Sequence, residues 1–79
     1  MKRELIVLGP GCARCELLAR LTGQAAEELG IEYHLEKLTD VTKFANFGLM
    51  LTPGLVVDGE LKVQGKVPSV EEVKVLLRG

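Results

Sequence analysis

The chain has 79 residues, 47% of them hydrophobic, and its ten basic and eleven acidic side chains leave a formal net charge of −1. That length accommodates one domain with a thin margin of core. The interspersed charges and scarce aromatic residues exclude a typical nucleic-acid binder, and no apolar run reaches the roughly 18 residues of a membrane helix.

The N-terminal MKRELIVLGPG begins basic and turns apolar, as a secretory signal does. Glu4 interrupts the run, and it stops at Gly9, well short of the roughly 7–15 apolar residues a signal core needs. Leu5-Ile6-Val7-Leu8 is instead expected to form a strand covered on both faces, bounded by the Gly9-Pro10-Gly11 turn. From Cys12 onward, Leu17, Leu18, Leu21, Ala25 and Leu29 recur at helical spacing, and Gly30 suits a C-cap. Gly23 weakens this helix without ruling it out. Residues 31–38 alternate, with Ile31, Tyr33 and Leu35 on one side and Glu32, His34 and Glu36 on the other, the pattern of a half-exposed strand.

Thr39 or Asp40 can N-cap a short helix running to about Phe47, which Gly48 ends. Leu55-Val56-Val57 and Leu61-Lys62-Val63 flank Asp58-Gly59, a strong hairpin signal. Ser69, with Glu72 three residues later, caps a closing helix that offers Val70, Val73, Val75, Leu76 and Leu77 for burial. The order βαβαββα predicts a parallel first pair with a right-handed crossover, followed by an antiparallel hairpin. The fold class is α/β, with a four-stranded mixed sheet and helices on both faces.

The chemistry concentrates in Cys12-Ala13-Arg14-Cys15, which holds the only two cysteines. Their loop is too small for its closure to stabilise the fold much. A lone pair of this kind fits an intracellular, cytoplasmic protein. Three roles stay open: thiol–disulfide exchange, binding of a soft metal or metalloid ion through two thiolates, and a partner-binding module that uses its cysteines little. A structural zinc site needs four ligands, and the single histidine, His34, lies on the polar side of its strand.

Taken together, GPGCARC near the start and TPGLVVDGELKVQGKVPS near the end resemble the small thioredoxin-like, glutaredoxin-like redox-active disulfide proteins of prokaryotes. The resemblance spans nearly the whole chain. It implies one domain over residues 1–79 with a minimal thioredoxin-like fold, lacking the extra N-terminal strand and helix of full thioredoxins. It implies a thiol–disulfide oxidoreductase acting on protein disulfides, with Cys12 as nucleophile and Cys15 as resolving thiol. The Cys12–Cys15 disulfide is then the redox group, with no other cofactor and no metal.

The resemblance further implies a cis Pro53 beside the cysteines, and Thr52 presenting backbone groups to an extended substrate. Gly11, Ala13 and Arg14 complete the implied substrate-binding set. The implied partners are protein thiols and disulfides and a reductase that regenerates the dithiol, met by a monomer that binds no nucleic acid and inserts in no membrane. Three features depart from the family pattern: CARC replaces CGPC or CPYC, there is no tryptophan, and Gly65-Lys66-Val67-Pro68 replaces the Gly-Gly-x-Asp with which glutaredoxins help hold glutathione.

A first cysteine at a helix start meets backbone N–H groups and the positive end of the helix dipole, which lower a thiol pKa from about 8.5. Arg14 adds positive charge, while Glu16, four residues after Cys12, opposes thiolate formation. Met50 and Leu51 are either an apolar rim for a partner or buried loop residues. Lys62 and Lys66 are expected to be solvated.

Overall fold

The computed structural model describes residues 2–11 and 13–78. Strand β1 (Arg3–Leu8) leads through the Gly9–Gly11 turn into helix α1 (Ala13–Leu29), and strand β2 (Tyr33–Leu38) follows. A 3-10 helix (Val41–Phe47) connects to the hairpin β3 (Gly54–Val57) and β4 (Glu60–Gln64), and helix α2 (Val70–Arg78) closes the chain. The strands lie in the order β2-β1-β3-β4, with β1 parallel to β2 and antiparallel to β3. Among the described residues no helix is long and apolar enough to cross a membrane.

Alternation along the strands divides the core in two. Leu5, Val7, Leu55, Val57 and Val63 pack with Leu18, Ala25, Ala26, Val73 and Leu77 on the side where α1 and α2 lie. Leu8 and Val56 face the other way and meet Phe44 and Leu49, with Ile6, Leu38, Phe47 and Leu61 only partly covered. The expected burial of residues 5–8 on both faces is therefore corrected at Ile6, because the single 3-10 helix is too short to roof that whole face.

Local chemistry fixes the element boundaries. The Asp40 side chain accepts from the Thr42 amide at 3.0 Å, and Gly48 ends the 3-10 helix in the left-handed region. Asp58 and Gly59 both take positive φ, 51° and 85°, as a tight primed hairpin turn requires. Ser69 and Glu72 form a reciprocal capping box: the Glu72 amide donates to Ser69 Oγ, and the Ser69 amide donates to Glu72 Oε1.

Two helical faces differ from the sequence expectation. Leu17 is exposed; Leu18 and Ala25 are buried as expected, but α1 also buries Cys15, Ala19, Thr22, Gly23 and Ala26. Small residues line the contact, so α1 lies close to the sheet, and the leucines alone misplace its buried stripe. Val75 is likewise exposed, because Val73 and Leu77 already hold the inward positions of α2. At Gly23 a Cβ would lie 3.6 Å from Tyr33 Oη and 3.7 Å from Leu35 Cδ2, ordinary contacts. Gly23→Ala is therefore expected to stabilise the protein by about 0.5–1 kcal/mol, through helix propensity. A urea titration checks this; destabilisation would mean that the helix cannot admit even that methyl.

Arg3 ties three elements together. It bonds Asp58 at the hairpin turn through Nε and donates through Nη1 to the Leu77 carbonyl, 2.6 Å away in α2. Asp58 also accepts from the Glu4 amide at 2.9 Å. The Glu4 amide, and then the Arg3 guanidinium, hold the Asp58 carboxyl below its ordinary value of 3.8. A depressed folded-state pKa means stability that is present above the unfolded value and is lost as pH falls through the folded one. Folding is thus expected to weaken below pH 3.8 in step with Asp58 protonation, and Asp58→Asn should flatten that acid limb. Urea midpoints measured down the acid range test this; an unchanged acid slope in Asp58→Asn would remove Asp58 from the account.

Candidate functional site

Strand register gathers the motif residues at one end of the sheet. Leu8, the last residue of β1, pairs with Gly54, the first of β3, and Gly54 pairs in turn with Gln64, the last of β4. The Gly9–Gly11 turn, the Thr52-Pro53 segment and Gly65 therefore emerge side by side. The Gly9 amide donates to the Leu38 carbonyl at 3.0 Å, which fixes the turn to the end of β2 as well. The two sequence blocks, far apart along the chain, face each other here.

Cys15 is the third residue of α1, in its first turn, and is only 4% exposed. Gly9 lies directly against it. A Cβ on Gly9 would clash with Cys15 Sγ and would lie 2.9 Å from Cys15 Cβ and 4.0 Å from Pro53 Cβ. Glycine is required at this position by that close approach, since any side chain would enter the space the sulfur fills. Pro53 is buried and its peptide bond to Thr52 is cis, while Thr52 itself is exposed. Cys12 lies outside the described residues.

Gly11, Ala13 and Arg14 are exposed around the buried sulfur. Arg14 reaches across the end of the sheet, its Nη2 donating to the Gly65 carbonyl at 3.2 Å. The Gly65 amide donates to the Pro53 carbonyl at 2.9 Å. One backbone unit thus joins the cysteine-motif arginine to the proline segment.

Gln64 holds the same segment from the other side, its Oε1 accepting from the Met50 and Leu51 amides at 2.8 and 3.3 Å. Met50 and Leu51 are 87% and 62% exposed, which removes the alternative that they are buried loop residues. Residues 9, 64 and 65 did not stand out in the sequence as site residues. Their contacts join segments that only the fold brings together, and a glycine ending an apolar run reads simply as a turn.

The charges near the motif are partly compensated. Glu16 accepts from Lys37 Nζ on β2 at 2.9 Å, so its carboxylate is turned toward the neighbouring strand and is balanced there. Lys66 is partly exposed and lies 4.0 Å from Glu72, whereas Lys62 is half-buried rather than fully solvated and pairs with Glu60 at 3.1 Å. His34 is exposed on β2, with its side chain on the face opposite to α1. Among the described residues no three His, Cys, Asp or Glu side chains converge as a metal site would need. What the described site offers is a buried sulfur at a helix start, a cis-proline segment beside it, and an exposed border that is apolar on one side and cationic on another.

Comparison with known proteins bears directly on this arrangement. A family model described as "Thioredoxin domain" matches residues 3–78. A thioredoxin of Methanothermobacter thermautotrophicus is 44% identical over 74 residues, covering 94% of this chain and 96% of that protein. A thioredoxin of Methanocaldococcus jannaschii is 39% identical over 77 residues, covering 94% and 88%. Among solved structures, thioredoxin-2 of the malaria parasite, described as a component of its protein secretion machinery, superposes with a TM-score of 0.66 at 16% identity, over 99% of this chain and 84% of that one. The reduced Schistosoma mansoni thioredoxin pre-protein superposes with a TM-score of 0.65 at 15% identity, over 98% and 77%. The structural matches establish the fold, and the sequence matches span both the cysteine motif and the proline segment.

Proposed function

The chain belongs to the thioredoxin domain family, and on that premise we propose that it is a thiol–disulfide oxidoreductase whose substrates are protein disulfides. Cys12 is assigned as the attacking thiolate and Cys15 as the resolving thiol. The observation that carries the assignment is the Cys15 sulfur, held in the first turn of α1 beneath Gly9 and beside Pro53. A second thiol that must wait for a mixed disulfide needs a fixed, water-poor position close to the first, and residue 15 of a C-x-x-C helix start supplies one.

In the reducing direction, the Cys12 thiolate attacks one sulfur of the substrate disulfide. A mixed disulfide forms, and the displaced substrate thiolate takes up a proton from water. The Cys15 thiolate then attacks the Cys12 sulfur, the Cys12–Cys15 disulfide forms, and the second substrate thiolate leaves and is protonated. Two electrons and two protons pass to the substrate. A separate dithiol must then reduce the Cys12–Cys15 bond before the next cycle. Thr52, exposed before the cis bond, presents its backbone to an extended substrate, and Met50 and Leu51 supply apolar contact.

The test is reduction of a protein disulfide with dithiothreitol as the electron source, with and without the purified protein. The expected result is acceleration over dithiothreitol alone that needs both cysteines. A wild-type rate no faster than dithiothreitol alone sinks the reading. The competing roles, a soft-metal carrier or a passive binding module, give no turnover in this assay.

A further inference from the structure

Arg14 carries an inference that rests on the oxidoreductase reading and narrows its substrates. Its guanidinium uses one N–H on the Gly65 carbonyl, and among the described residues no carboxylate pairs with it. A guanidinium is a planar fork with five donors, so most of its hydrogen-bonding capacity faces outward. The hydrogen bond to Gly65 keeps the long side chain from wandering, and it places the charge beside the proline segment rather than out in solvent. Leu51 converges on the same backbone unit, since a Cβ on Gly65 would lie 3.1 Å from Leu51 Cβ. A cation and an exposed apolar side chain therefore stand together on the segment where a substrate strand must dock. Lys66, the next residue, is 67% exposed with only a 4.0 Å contact to Glu72, and it adds to the positive side of that border.

We infer that Arg14 is a specificity determinant, selecting protein disulfides that carry an aspartate or glutamate beside the attacked cysteine. A flanking carboxylate would meet an anchored fork of donors, whereas a flanking lysine would meet like charge. Pre-anchoring lowers the entropy lost on docking, and complementary charge at the border mainly speeds encounter and rejects wrong partners.

The test uses two disulfide-bonded peptides that differ only in one residue flanking the cysteine, glutamate in one and lysine in the other. Their kcat/KM values are measured with the wild-type protein and with Arg14→Gln and Arg14→Glu, at low and high salt. The ratio between the two peptides within one variant cancels any change in folding or thiol reactivity. Wild type is expected to favour the glutamate peptide about fivefold at low salt, a factor in keeping with one partly exposed ion pair. Arg14→Gln should abolish the preference and Arg14→Glu should reverse it, with salt shrinking both effects. Equal reduction of the two peptides by wild type, or a preference that survives in Arg14→Gln, overturns the inference while leaving the oxidoreductase reading intact. Reduction of neither peptide overturns both.

Discussion

Replacing Gly9 with alanine is expected to impair thiol exchange more than any other single methyl added to this protein. The new Cβ would overlap Cys15 Sγ and sit 2.9 Å from Cys15 Cβ, so one of the two segments must move. Neither moves easily. Gly9 is bonded through its amide to the Leu38 carbonyl, and it follows Leu8, which is fully buried. Cys15 is anchored in α1 one turn before Leu18 and Ala19, both in the core. Overpacking of this kind costs about 1–3 kcal/mol of stability. A displaced sulfur also loses its alignment for the second exchange step, where a misplacement of about 1 Å can slow reaction roughly a hundredfold. The measurements are urea unfolding and protein-disulfide reduction on Gly9→Ala. Wild-type stability together with wild-type turnover would mean that the sulfur does not depend on the space above it.

Cys15→Ser is expected to stop turnover while leaving the first step intact. Cys12 can still attack, but the mixed disulfide cannot be resolved internally, so the variant should accumulate as a covalent adduct with its substrate. Mass spectrometry of the quenched reaction, with and without dithiothreitol, reads this directly. Cys12→Ser should form no adduct at all. Cys15→Ala serves as a control that places no hydroxyl at the buried position. If Cys15→Ala turns over at the wild-type rate, Cys15 is not the resolving thiol, and the assigned roles fail even though the family assignment stands.

Legibility followed the range of the interaction. The Asp58-Gly59 turn, the Ser69–Glu72 box and the Asp40 and Gly48 caps were readable because each is set by residues a few positions apart. The β1–β2 and β3–β4 pairings were readable from the order of elements, since a helix between two strands favours a parallel crossover and a tight turn makes a hairpin. The antiparallel β1–β3 pairing that sets the hairpin beside β1 is a long-range contact no local signal announced. The buried face of α1 was not, because Ala19, Thr22, Gly23 and Ala26 decide it by being small, and hydrophobic spacing gives such residues little weight. Val75 was over-assigned to the core because a nine-residue helix buries only one narrow stripe.

In the site, the C-x-x-C spacing and the Thr52-Pro53 pair were conspicuous, but what surrounds them was not. Gly9 reads as a turn residue until α1 folds back over it, and Gln64 reads as a solvated strand end until the 50–53 segment lies against it. The bond from Arg14 to Gly65 spans 51 positions, and neither residue type announces it.

The central claim is that Cys12 and Cys15 form one reversible redox couple. A titration of the purified protein in graded dithiothreitol or glutathione buffers, with free thiols alkylated and counted by mass, tests it most directly. The account predicts that both thiols disappear together in one reversible two-electron transition, at a potential within the span of known C-x-x-C couples, roughly −270 to −120 mV. Two alkylatable thiols persisting at every potential would contradict it.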